Sequence, residues 1–156
     1  MDMKIVVIGA GEVGYNLARA LSKDNNDLTV IDADQVKCQR ITASIDAIIK
    51  SGKKKIALVS PYDEEIETMI VEYLRLKSID VVDSISFRES DDYLVSKISA
   101  DRIRDAIVKI SECADLVFVS CTNLKFLNVL KNIEAMIGKP IISSNQAIMK
   151  NHSISK

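Results

Sequence analysis

The sequence contains no tryptophan, two prolines, five glycines and one histidine, and aromatic residues make up 4% of it. Each scarcity excludes something. The single histidine, His152, lies in a polar tail, so Cys–His or Ser–His catalysis is not expected, and no zinc-ligand spacing exists. The three cysteines, Cys38, Cys113 and Cys121, are an odd number without framework spacing, which fits a reducing cytoplasm better than a disulfide scaffold. No apolar run approaches the roughly 20 residues that span a bilayer. Met1-Asp2-Met3-Lys4 leads straight into a strand pattern, so no signal peptide and a cytoplasmic location are expected. Charge of neither sign is in excess: 21 basic residues face 22 acidic ones. Nucleic acid and direct membrane insertion are therefore not expected as partners. Lys53-Lys54-Lys55 reads as a solvated turn. Repeats and low-complexity linkers are also missing.

What is present is ordinary globular material: 47% apolar and 28% charged residues over 156 positions. Short apolar runs alternate with helical stripes. Strands are expected at 4–8, 28–32, 55–60, 79–83, 116–120 and 140–143, and the unbroken apolar runs Ile5–Ile8 and Leu116–Val119 point to strands buried on both faces. Helical stripes fall at Val13/Leu17/Ala20/Leu21, Ile41/Ile45/Ile48/Ile49, Ile66/Met69/Ile70/Tyr73/Leu74, Ile103/Ala106/Ile107/Ile110 and Leu127/Leu130/Ile133/Ile137. Gly52 and Gly138 stand where helices should stop. The alternation predicts an α/β fold: a doubly wound, mostly parallel sheet of about six strands in a single three-layer α-β-α domain. The longest irregular stretch, 84–99, is a candidate active-site loop.

Three of the five glycines form Gly9-Ala10-Gly11-Glu12-Val13-Gly14, after a strand and before a helix. Gly9 permits the tight turn, Gly11 lets a pyrophosphate approach, and Gly14 lets helix and strand pack closely. Asp32 closes the next strand, where its carboxylate can accept ribose hydroxyls and would repel a 2′-phosphate. NAD(H), ADP or ATP is the cofactor this pattern implies; a Rossmann-like turn without ligand is the alternative. Residues 1–40 resemble the start of the nucleotide-binding domain of Trk-type potassium-uptake regulators, which implies a nucleotide-sensing regulatory module.

From about Ile41 the text changes. Thr42-Ala43-Ser44, Lys55–Tyr62, Val81–Ser84, Ser120-Cys121-Thr122-Asn123-Leu124 and Gly138–Ala147 resemble, in order and spacing, the C-terminal half of maleate cis-trans isomerases and arylmalonate decarboxylases, within the aspartate/glutamate racemase superfamily. On this reading 1–40 is an opening βαβ unit that does not fold alone, and 41–156 is a racemase-type half domain, the two forming one compact unit. Cys121 follows a buried strand and is expected to precede a helix, at the sheet edge where α/β proteins bind ligands. A thiolate there can move a proton beside a carboxylate or attack an activated alkene. The resemblance makes Cys121 catalytic and gives Tyr62, Thr122 and Asn123 to a small carboxylate substrate, with no cofactor or metal required. Asn145 is further polar lining on this reading; a helix cap is the alternative for both Asn123 and Asn145. Asp92 falls where maleate isomerases carry a substrate-binding asparagine, and a carboxylate there would repel a carboxylate substrate. A homodimer could bring two Cys121 edges together.

Three readings stay open: a cysteine-dependent isomerase, racemase or decarboxylase; a nucleotide sensor; and a stable fold with neither activity. The strand order separates two of the ancestries. The racemase type orders its strands 79–83, 55–60, 116–120, 140–143, with the opening pair at an edge. A Rossmann order sets 55–60 beside 28–32.

Overall fold

A computed structural model describes residues 4–8, 27–31, 35–89 and 91–147. Gly9, Gly11, Gly14, Asp32, His152 and the Val13–Leu21 stripe lie outside the described residues. Contacts divide the chain into two compact units, Met1–Gln39 and Arg40–Lys156. In the first, β1 (Lys4–Ile8) and β2 (Asp27–Ile31) pair in parallel.

The second unit begins within helix α1 (Gln35–Ser51) and alternates strand and helix thereafter, with two helices between its second and third strands. Its elements are β3 (Lys55–Ser60), α2 (Glu64–Leu76), β4 (Asp80–Ser86), a short α3 (Asp92–Val95), α4 (Ala100–Ile110), β5 (Leu116–Val119), α5 (Leu130–Ile137) and β6 (Ile141–Ser143). The four strands form one parallel sheet in the order β4-β3-β5-β6. That is the racemase-type order, and β3 does not pair with β2. The register of β3 against β4 shifts once, between Ile56 and Ala57.

Strand alternation sends side chains to two separate cores. Ala57, Val59, Val117 and Val119 pack under α4 and α5 through Ile103, Ile107, Leu130 and Ile133. Ile56, Leu58, Leu116 and Phe118 pack under α1 and α2 through Ile45, Ile48 and Leu74. Helices on both faces of a parallel sheet make this unit three-layered and doubly wound.

The expectation of a sheet of about six strands is corrected: the main sheet has four, and β1 and β2 pair only with each other among the described residues. Several donors at the edges of the main sheet are satisfied by side chains. The outward N–H groups of β6 are already taken, Ile141 by Glu134 Oε1 at 2.8 Å and Ser143 by Gln146 Oε1 at 3.3 Å. On the other edge Ser84 N–H donates to Asp83 Oδ1 at 2.8 Å. Side chains that satisfy edge donors remove the template for further pairing.

Helix ends follow their sequence signals. Asp63 caps α2 by accepting from Ile66 N–H at 3.0 Å, and Ser99 caps α4 by accepting from Arg102 N–H at 3.3 Å. Gly138 ends α5 with φ 65° while its N–H donates to the Glu134 carbonyl. A Cβ built on Gly138 would meet nothing within 4 Å, so only backbone conformation opposes a side chain there. Gly138→Ala is expected to cost about 1–2 kcal/mol, the penalty of the left-handed region for an L-residue. Urea denaturation followed by circular dichroism measures it; an unchanged midpoint would show that the turn relaxes freely.

Among the described residues no helix is long and apolar enough to cross a membrane.

Candidate active site

The carboxyl ends of β3 and β5 lie side by side at the centre of the sheet. The ladder continues past β5, with Ser120 N–H donating to the Val59 carbonyl at 2.9 Å. Cys121 follows immediately. It shares the face of Val117 and Val119 and joins the α4/α5 core with 8% of its surface exposed. Tyr62, two residues beyond β3, packs half-buried against that same core. The structure therefore places Cys121 and Tyr62 at one edge and on one face of the sheet.

Thr122 and Asn123 are half-buried. Asn123 N–H donates to Cys121 Sγ at 3.3 Å. Asn145, just past β6, donates its Nδ2 to the Thr122 carbonyl at 3.0 Å, which ties the end of β6 to the turn after β5. Asp92 begins α3, and its backbone alone is described. Cys113 is exposed before β5, at the opposite edge of the sheet from Cys121. Among the described residues no group of histidine, cysteine and carboxylate side chains is arranged to hold a metal.

One local expectation is corrected. Cys121 does not directly precede a helix: residues 121–126 are irregular, a turn occupies 127–129, and α5 starts at Leu130. The cause lies in Leu124 and Phe126, both fully buried in the core that holds Cys121. Spacing of i, i+2 points two side chains the same way in extended chain, whereas a helix would turn them apart. Burial of both side chains therefore keeps this segment out of a helix. The donor at the sulfur is the Asn123 peptide of a turn, not a helix N-terminus.

Two supporting residues were not singled out from the sequence. Ser86 falls in the stretch 84–99 whose sequence reads as irregular, but β4 runs through it, and its hydroxyl donates to the Tyr62 carbonyl while accepting from Arg88 N–H at 3.0 Å. It braces the turn that carries Tyr62. The alternation of Ser84, Ile85 and Ser86 was the available signal. Lys125 is the other: with Thr122, Leu124, Phe126, Leu127 and Asn145 it lines a depression of about 270 Å³ beside the Cys121 turn.

The profile of the arylmalonate decarboxylase family matches residues 19–152. The chain belongs to the arylmalonate decarboxylase family. The match reaches further towards the N-terminus than the boundary near residue 41 drawn from the sequence. This family member is 29% identical over 104 residues to a maleate isomerase of Geobacillus stearothermophilus, covering 65% of the present chain and 41% of the isomerase. Its fold is also that of the maleate isomerase Iso from Pseudomonas putida S16, with a TM-score of 0.66 and 25% identity over 89% of this chain and 54% of the other. A maleate cis-trans isomerase mutant from Nocardia farcinica, solved with a covalently bound succinylcysteine intermediate, superposes with a TM-score of 0.58 and 18% identity, covering 94% of this chain and 61% of that one. The chain thus spans about two fifths of the length of the maleate isomerase relatives it matches. A Trk system potassium uptake protein of Methanosarcina mazei matches at 46% identity, but over 50 residues, 32% of this chain and 12% of its own. The nucleotide alternative therefore rests on a short partial match and on residues outside the described set.

Proposed function

We propose that this family member performs cysteine-based proton transfer or isomerisation on a small carboxylate, with Cys121 as the reacting group. The observation that carries this reading is the placement of Cys121: at the carboxyl end of a central strand, facing the same core as Tyr62, with a backbone N–H directed at its sulfur. That N–H bonds a sulfur anion more strongly than a neutral thiol. In proton transfer the thiolate takes the proton from the carbon beside the carboxylate. The electron pair of the broken C–H bond spreads into the carboxylate, and return of a proton to that carbon restores the thiolate. With an unsaturated substrate the sulfur adds instead: an S–C bond forms while the π pair of the C=C bond moves onto the carbon beside the carboxylate and into that carboxylate, the remaining single bond rotates, and return of the pair expels the thiolate and re-forms the alkene. The succinylcysteine in the Nocardia farcinica structure supports the second course. Tyr62 donates its hydroxyl to the substrate carboxylate, and the Thr122–Asn123 turn lines the site. Neither course requires a cofactor.

The direct test is isotope exchange. The protein is incubated in D2O with a panel of small carboxylates, and deuterium at the carbon beside the carboxylate is read by NMR, with alkene geometry read in the same spectra. Exchange or isomerisation above the protein-free rate with at least one carboxylate is expected. Rates equal to the protein-free controls across the panel would refute the reading.

A further inference from the structure

We infer that Asn145 is a positioning residue for the Cys121 sulfur and acts on it through a single peptide group; this rests on Cys121 being the reacting group. The carbonyl of Thr122 and the N–H of Asn123 are the two ends of one peptide bond. Asn145 Nδ2 donates to the carbonyl end at 3.0 Å, and the N–H end donates to Cys121 Sγ at 3.3 Å. A trans peptide is planar, with its C=O and N–H pointing in opposite directions. Fixing the direction of the carbonyl therefore fixes the direction of the N–H, and with it the aim at the sulfur. The same bond acts electronically. Hydrogen bonds in a chain polarise one another, by about 10–30% per bond, so a donor on the carbonyl makes the N–H a better donor to a sulfur anion.

Asn145 is itself held by its neighbours. It lies in a helical turn, 144–147, that starts directly after β6. Ser143 and Gln146 close that turn reciprocally. The Ser143 hydroxyl accepts from Gln146 N–H at 3.2 Å, and Gln146 Oε1 accepts from Ser143 N–H at 3.3 Å. Serine followed three residues later by glutamine is the capping-box pattern, and Ser143 is fully buried. On the other side of the turn, the buried Ser144 accepts from the Ser44 hydroxyl of α1 at 3.4 Å. The amide is thus delivered from a segment fixed to β6 and to α1, which is what a support for reacting groups needs.

The position along the sheet matters as well. The β5–β6 ladder ends at the Val119–Ser143 pair. Beyond it the Asn145 side chain takes over from the backbone and ties the two chain ends, at the point where the sulfur sits. Chemistry also fixes which end of the amide does this. A carbonyl only accepts, so the group facing Thr122 is the NH2 and not the oxygen. A side chain without that donor can fill the space but cannot orient the peptide.

Two variants of the full chain test this. Asn145→Leu keeps the branched shape without the amide, and Asn145→Ala removes both. Iodoacetamide modification at neutral pH is followed by mass spectrometry, with the exposed Cys113 as internal reference. The reagent reacts with the sulfur anion. Cys121 should therefore be modified about two- to tenfold more slowly in both variants, the worth of one hydrogen bond, with Cys113 unchanged. A side chain that only braces the turn predicts the opposite sign, because loosening would uncover a sulfur whose residue is 8% exposed. In the isotope-exchange assay the same variants should lower kcat about tenfold and leave KM within about twofold of the parent. If the parent exchanges no carboxylate while both variants slow modification, the reaction proposed above fails and the role of Asn145 stands. Modification of Cys121 at the parent rate or faster, in either variant that keeps the parent's circular dichroism, would overturn that role whatever the exchange assay shows.

Discussion

Phe126→Ala is expected to lower stability by about 3–5 kcal/mol, the range for deleting a buried aromatic side chain. Phe126 is fully buried although it lies in a segment with no regular structure. It belongs to the core cluster that includes Cys121, Leu124, Leu130 and Ile133. Together with Leu124 it anchors the connection between β5 and α5, so its loss opens a cavity and also frees the turn that carries the thiol. Two readouts should move together. The urea midpoint of the second unit should fall, and iodoacetamide should modify Cys121 faster under native conditions while Cys113 is unaffected. Leu127→Ala is the control: Leu127 is 40% exposed in the same loop and should cost well under the Phe126 change. A Phe126→Ala loss below about 1 kcal/mol would mean that residues 121–129 do not belong to the core.

In that segment the sequence pattern and the structure also part. Helical stripes and apolar strands were legible because burial imposes their periods: Ile103, Ala106, Ile107 and Ile110 are all buried on one side of α4. The order β4-β3-β5-β6 was legible because the quoted blocks resembled a family with that order. Three features were not legible, each for a physical reason. The number of strands in the main sheet is set by tertiary pairing, and the bonds from Ile141 to Glu134 and from Ser143 to Gln146 at its β6 edge are of a kind that no local pattern encodes. The end of β4 at Ser86 was masked by serines and aspartates, residues with turn preferences that tertiary pairing with β3 overrides. The path after Cys121 was misread because Leu127, Leu130, Ile133 and Ile137 fit a helical stripe, although Leu127 lies in the preceding turn. Of the site itself, the placement of Cys121 and Tyr62 at one edge followed from strand assignment alone. Ser60 illustrates what sequence cannot supply: its hydroxyl is buried at the end of β3 with no hydrogen-bond partner among the described residues. An unpartnered buried hydroxyl contributes nothing that desolvation does not cancel, so Ser60→Ala should be neutral or stabilising by up to about 1–3 kcal/mol. Destabilisation in the same denaturation assay would show that the hydroxyl has a partner in solution.

Cys121→Ala should reduce exchange or isomerisation by about 10²–10⁴-fold, the usual range for removing a positioned proton-transfer group. That corresponds to about 2.7–5.4 kcal/mol in the barrier. Two features of the site keep the test specific. Cys121 is a small, buried side chain, so alanine preserves most of its packing and removes the sulfur. Cys113→Ala alters the exposed cysteine at the other edge of the sheet and should leave the rate unchanged. Tyr62→Phe keeps the ring against the core and removes the hydroxyl alone. If that hydroxyl holds the substrate carboxylate in both ground and transition states, Tyr62→Phe should raise KM with little change in kcat, whereas Cys121→Ala should lower kcat. A structural role for either side chain predicts a different result, in which rate and denaturation midpoint fall together. The decisive comparison is therefore the rate of folded Cys121→Ala against folded parent, at the same urea-free stability and with the carboxylate that exchanges fastest. Retention of the parent rate by that folded variant would place the chemistry at another group and remove Cys121 from the reaction.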